Sequence, residues 1–202
     1  MNQTFLEELN TLSEQVLHIP FGKKEQEKLL VISEIKMYTQ GTIICGVQEQ
    51  LKRTGFVIKG MVRSFYLDVD GNEITKNFHG KNFFCMDEGL LGYEKSICAY
   101  EAVTDCTILQ INTKQLKELI NKDEYFKNVY IAGLENGMRY KIYRESEFLT
   151  KNATERYLQF LKDYPELSDS IKQFHISTYP GITPESLSRI RKALRKDGGF
   201  CE

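Results

Sequence analysis

No stretch of the sequence approaches ~18 consecutive apolar residues, so no membrane-spanning helix is expected. The opening MNQTFLEELNTLSEQVLHIP lacks the basic-then-apolar order of a secretory leader, and a cytoplasmic location with no membrane partner is the expectation. None of the five cysteines (Cys45, Cys85, Cys98, Cys106, Cys201) forms a CxxC pair. The common zinc and redox signatures are therefore missing, and reduced thiols, the first four mostly in a core, are expected. His79 and His175 stand apart from the cysteines in sequence, so no metal set is marked. There is no HxH, no nucleophile elbow, no glycine-rich phosphate loop and no carboxylate pair flagged by spacing. An enzyme has no support, and Asp87-Glu88 reads as a solvated loop.

A strong excess of one charge is also lacking, since the net charge of −1 argues against a uniformly basic nucleic-acid coat. The neutrality hides an asymmetry. From Ile182 to Lys196 five cations (Arg189, Arg191, Lys192, Arg195, Lys196) face one anion, Glu185, a local net charge of +4. A phosphate-facing element needs that sign. A solvated C-terminal helix would carry it too, because cations favour that end of the helix dipole.

What the chain does have is a change of texture along its 202 residues. Residues 4–17 read as a short helix with Phe5, Leu9, Leu12 and Val16 on one face. From Ile32 to Ile111 short β-rich runs alternate with glycine, and Asp70-Gly71 between two such runs marks a hairpin. This pattern predicts a small antiparallel barrel or sandwich. Helical patterning returns with NTKQLKELIN and a long segment from Glu124 to Leu149. There Ile131, Leu134, Met138, Ile142 and Leu149 fall within about 80° of arc, a narrow seam suited to pairing with a second helix. Docking of the same face on the chain's own barrel is the competing explanation. Asn152-Ala153-Thr154-Glu155 marks a break before a further helix, ERYLQFLKDYP. The sequence thus divides into a β-barrel with flanking helices (1–123), a dimerisation helix (124–150) and a small helical module (151–202).

The module ends in QFHISTYPGITPESLSRIRKAL. Thr183 suits an N-cap and Pro184 the first helical position, where its missing N–H costs nothing. Gly181 marks a tight turn between two helices, the pattern of a helix-turn-helix. Ser177, four residues earlier, is small as the packing requires. Ile176, Ile182, Leu187 and Ile190 supply apolar contacts, with Pro180 the imperfect fit. In that motif the second helix enters the major groove. Thr183, Glu185, Ser186, Ser188 and Arg189 would lie toward the bases, Arg189 pairing with guanine and Glu185 accepting from cytosine. Arg191 and Lys192, with Arg195, would meet phosphates on the flank.

With these elements in order, the chain resembles the Crp-Fnr family of bacterial transcription regulators. FVIKGMVRSFYLDVDGNEITKNFHGKNFF is similar to its cyclic-nucleotide-binding-type barrel, a jelly roll, and ITPESLSRIRK to its recognition helix. The resemblance implies an α+β protein that binds double-stranded DNA as a homodimer, with an unknown small-molecule effector and RNA polymerase as further partners. It also places Glu185 and Arg189 at base-reading positions. The barrel departs from nucleotide-binding members. Cys85-Met86 stand where those carry Gly-Glu, and Ser96-Ile97 where they carry Arg followed by Ser or Thr. Losing that arginine removes the fixed charge a buried phosphate needs, so cyclic AMP is not the expected effector. An N-terminal cysteine cluster of the iron–sulfur kind is also missing, while haem or a metal stays open, so the cofactor is unknown. Phe84, Met86, Ile97 and Ala99 are candidates to line an effector pocket. The ending RKDGGFCE leaves little room for the β-hairpin wing of many relatives. A second reading is a small-molecule-binding module whose C-terminal helices form a cap that does not bind DNA.

Overall fold

The computed structural model describes residues 21–167 and 171–196; the helix expected over residues 4–17 and the stretch after Lys196 lie outside them. After a helix α1 (Lys23–Val31), eight strands follow: β1 (Ser33–Tyr38), β2 (Ile43–Cys45), β3 (Arg53–Lys59), β4 (Val62–Leu67), β5 (Glu73–His79), β6 (Phe84–Cys85), β7 (Ala99–Ala102) and β8 (Cys106–Asn112). Among the described residues five α-helices then follow: α2 (Thr113–Lys122), α3 (Glu124–Thr150), α4 (Ala153–Asp163), α5 (Gln173–Thr178) and α6 (Pro184–Lys196). The strands form two four-stranded sheets, ordered β1-β8-β3-β6 and β2-β7-β4-β5.

Strand alternation explains why one sheet is covered twice. On β8, Cys106 and Ile108 point inward and join Val57, Cys85, Cys45, Val62, Tyr100 and Ala102 in a core shared by both sheets. The intervening Leu109 and Ile111, with Phe56 of β3, point to the other face. There they meet Leu29 of α1, Leu116 of α2 and Phe126 at the start of α3. The antiparallel register Ser33↔Ile111 to Tyr38↔Cys106 holds β1 against β8. All four described cysteines are buried free thiols in the inner core. Gly60 makes the turn from β3 to β4 at φ +86, where an added Cβ would stand 2.3 Å from the Asp105 carbonyl. No other residue fits there.

Helix ends follow local rules. The Asn112 side chain accepts from the Gln115 N–H and starts α2. Asn152 and Glu155 form a reciprocal capping box at the start of α4. The helix α1 went unmarked in the sequence because KKEQEKLLV is largely charged, and only Leu29 is buried. Lys28 of α1 pairs with Asp123 between α2 and α3.

Contacts group the chain into two compact units that are not consecutive stretches. Among the described residues, one comprises 21–64 and 78–139, and the other 65–77, 140–167 and 171–196. The grouping assigns the tip of the β4–β5 hairpin to the same unit as the C-terminal helices, and its boundary falls within α3.

In the first unit Arg63 is fully buried, with its Nε 3.2 Å and one terminal nitrogen 2.7 Å from Glu101 Oε2. Removing one partner of a buried pair leaves the other uncompensated. Arg63→Met is therefore expected to lower unfolding free energy by about 3–5 kcal/mol in a denaturant titration.

Candidate nucleic-acid interface

In the second unit the two helices α5 and α6 meet across a short turn. Thr183 Oγ1 accepts from the Ser186 N–H at 3.2 Å, the N-cap geometry, and Pro184 opens α6. Gly181 lies at φ +68, and the Ile182 N–H closes the turn on the Ser177 carbonyl at 3.0 Å. Ile176, Ser177 and Leu187 are completely buried. Pro180 is buried as well, and Ile182 and Ile190 are half-buried. The hydroxyl of Ser177 turns back and donates to the Phe174 carbonyl at 2.9 Å.

The polar side chains of α6 divide into two groups. Thr183, Glu185, Ser188 and Arg189 are exposed, and Ser186 is partly so. One Arg189 terminal nitrogen donates to Ser186 Oγ at 3.1 Å, which aligns the guanidinium along the helix. The Glu185 carboxyl is held below the usual range by its own backbone N–H first and the Thr183 hydroxyl second. It stays an acceptor at neutral pH. The second group is basic. Arg191, Lys192 and Arg195, with Ser188 and Gln173 of α5, line an open cleft of about 420 Å³. Arg191 is also tied inward: its Nε donates to Tyr157 Oη of α4 at 2.8 Å, and its guanidinium faces the Tyr157 ring. It braces α6 on α4 as well as lining the cleft.

Below this, α3 is exposed along nearly its whole length. Of its 27 residues only Phe126 and Glu147 are buried. Ile131, Leu134, Met138, Ile142 and Leu149 are 43, 43, 59, 60 and 79% exposed. All five side chains are open to solvent.

The four residues expected to line an effector pocket divide between environments. Met86 and Ala99 are buried, Met86 in the inner core. Phe84 and Ile97 are 38 and 39% exposed, and Phe84 pairs edge-on with Phe56, which belongs to the opposite face of its sheet. The reading of Asp87-Glu88 as a solvated loop is corrected for Glu88, which is 4% exposed. A left-handed turn at Met86 (φ 55) swings Glu88 inward. There its carboxylate accepts from Tyr100 Oη at 2.6 Å and from Cys98 Sγ at 3.1 Å. His79 has Nδ1 2.7 Å from the Phe84 carbonyl and Nε2 2.9 Å from Ser64 Oγ. Both ring nitrogens are committed.

Residues 35–123 match the family model of the cyclic nucleotide-binding domain. Three solved structures share the fold over most of the chain. FixK2 from Bradyrhizobium japonicum has a TM-score of 0.72 at 22% identity, covering 85% of this chain and 89% of its own. A crp/fnr-family transcriptional regulator from Eubacterium rectale reaches 0.74 at 16% identity, covering 88% and 85%. The c-di-GMP responsive regulator CLP from Xanthomonas campestris reaches 0.69 at 18% identity, covering 86% and 91%. No curated protein sequence matches the chain. The chain has the fold of the Crp/Fnr regulators.

The positions where nucleotide-binding members hold their ligand are spent within the fold here. Cys85 and Met86 are absorbed into the core, against Gly55. Ser96 is completely buried and its hydroxyl donates to the Cys98 carbonyl at 2.5 Å. None of these positions offers a fixed cation, and Glu88 adds an acid beside them. Cyclic AMP and cyclic GMP at millimolar concentration are expected to leave the melting midpoint unchanged in a thermal scan. A ligand at a hundred times its Kd would instead add about 2.7 kcal/mol.

Proposed function

We propose that the protein is a sequence-specific DNA-binding transcriptional regulator of the Crp-Fnr type, acting in the cytoplasm as a homodimer on a palindromic site. The observation that carries this reading is the capped, glycine-turned helix pair whose outer helix exposes Glu185, Ser188 and Arg189 beside a cleft of Arg191, Lys192 and Arg195. The exposed row of α6 faces base edges, with Arg189 donating to guanine and the ionised Glu185 accepting from a cytosine amino group. The cleft cations lie toward the phosphates and set register. A single module reads few base pairs, and two modules joined through the α3 seam would read two half-sites about one helical turn apart.

The dimer reading rests on the open seam. A 27-residue helix with two buried side chains has little tertiary support of its own, and burying Ile131, Leu134, Met138, Ile142 and Leu149 against the same row of a second copy supplies it. The effector is a small molecule other than a cyclic nucleotide, and it acts by shifting the paired helices between two arrangements. RNA polymerase is the natural further partner of such a regulator.

Two measurements test the reading. In selection from random duplexes a palindromic site should emerge, and Arg189→Ala should weaken it by about 1–3 kcal/mol while relaxing one symmetric position. Enrichment of no sequence, with or without cell extract as a source of effector, contradicts it. In sedimentation, Met138→Glu should raise the dimer dissociation constant at least about tenfold by burying a charge in the seam. An unchanged constant places the interface elsewhere.

A further inference from the structure

The turn between α5 and α6 is held from outside the helix pair by two arginines. Where α5 ends, its last carbonyls have no partner within the helix. Arg144 of α3 donates from a terminal nitrogen to the Tyr179 carbonyl at 2.9 Å, and Arg156 of α4 donates from Nε to the Pro180 carbonyl at 2.8 Å. Arg156 has a second hold: one terminal nitrogen donates to the Lys151 carbonyl, just past the end of α3, at 2.7 Å. One guanidinium thus ties the end of α3, the start of α4 and the turn before α6. Stacking fixes both groups. Arg144 lies 3.8 Å above the Tyr179 ring, and Phe148 lies between the two guanidiniums at 4.9 and 5.3 Å. Glu147, 3% exposed, stands 3.6 Å from Arg144 and 2.7 Å from Lys151. Gly181 rests on Phe148, with no room for a Cβ.

We infer that Arg144 and Arg156 are positioning residues: they touch no DNA, but set the direction in which α6 leaves the end of α3. This rests on the regulator reading, because in a dimer paired along α3 that direction sets the separation of the two recognition helices. The Arg144 side chain is only 13% exposed, and Arg156 commits Nε and one terminal nitrogen to carbonyls, so both guanidiniums are turned to the backbone. The planar fork is what the geometry uses. Lysine keeps the charge but cannot bridge two carbonyls in a fixed plane.

The test has one arm without DNA and one with it. Spin labels go on Lys141→Cys of α3 and Ser188→Cys of α6, on a Cys201→Ser background, in full-length chain diluted with unlabelled protein. The remaining thiols are buried. A single narrow interlabel distance is expected, and Arg156→Met and Arg156→Lys should both broaden or split it while retaining a cooperative melt. In the second arm the selected duplex is titrated against salt, with half-site spacing varied by one base pair. Arg156→Met should lose about tenfold in affinity at the preferred spacing and discriminate less between spacings, as expected from unsatisfied carbonyls loosening the turn. Its slope against log salt should be unchanged, whereas Lys192→Ala should lower that slope by about one. A distance that stays narrow in both Arg156 variants overturns the inference. So does a lowered salt slope in Arg156→Met that Arg156→Lys restores, which would make Arg156 a phosphate contact. If the wild type selects no duplex the regulator reading falls, while the interlabel distances still decide whether the arginines orient α6.

Discussion

At Gly181 the backbone turns at φ +68, and the place where a Cβ would stand lies 2.8 Å from Cε1 of Phe148. Two requirements meet in that residue. The left-handed conformation closes the turn between α5 and α6, and the missing side chain lets the turn sit on the end of α3. Everything proposed for the protein passes through this point. If the turn opened, Leu187 and Ile176 would lose their mutual burial, and if it lifted from Phe148, α6 would lose its fixed relation to the long helix.

The surroundings of that turn show how a small helical module obtains a rigid seat. Tyr140, Tyr164 and Tyr179 form a hydroxyl cluster in which Asn77 Oδ1 accepts from Tyr140 at 2.7 Å and from Tyr164 at 3.3 Å. Burial is the main reason the Tyr164 and Tyr179 phenols are pushed up, so these rings stay neutral donors at any physiological pH. Thr75 of the hairpin donates from its hydroxyl to the His175 carbonyl at 3.0 Å and from its amide to Thr178 Oγ1 at 3.2 Å. Hairpin tip, tyrosines and arginines all converge on α5 and the turn, leaving the outer side of α6 exposed. The polar groups of α6 that the reading assigns to DNA are those this packing does not use, Arg191 excepted.

Much of this was legible in the sequence where the signal is local. Asp-Gly marked the β4–β5 hairpin, Asn152 and Glu155 the start of α4, and Thr183, Pro184 and Gly181 the entry to α6. Each works within four residues, so sequence neighbours are spatial neighbours. The seam of α3 was legible because helical periodicity carries over long distances. Residues acting across the fold were not. Arg144 and Arg156 look in sequence like ordinary surface cations, and nothing local says that their nitrogens reach carbonyls 35 and 24 residues away. Glu88 reads as a loop acid, and only the left-handed turn at Met86 sends it inward to Tyr100. The expected effector residues fall in different environments for a similar reason: Phe84 and Met86, two apart, would share a face of a continuous strand, but β6 ends at Cys85 and the left-handed turn at Met86 breaks the alternation.

In the proposed dimer two copies of α6, paired through α3, read DNA from one face. A hydroxyl-radical footprint of the wild-type protein on its selected duplex tests this most directly. Two symmetric protected patches are expected, their centres about one helical turn apart on the same side of the duplex. A single patch, or protection that spreads evenly along the duplex, would contradict it.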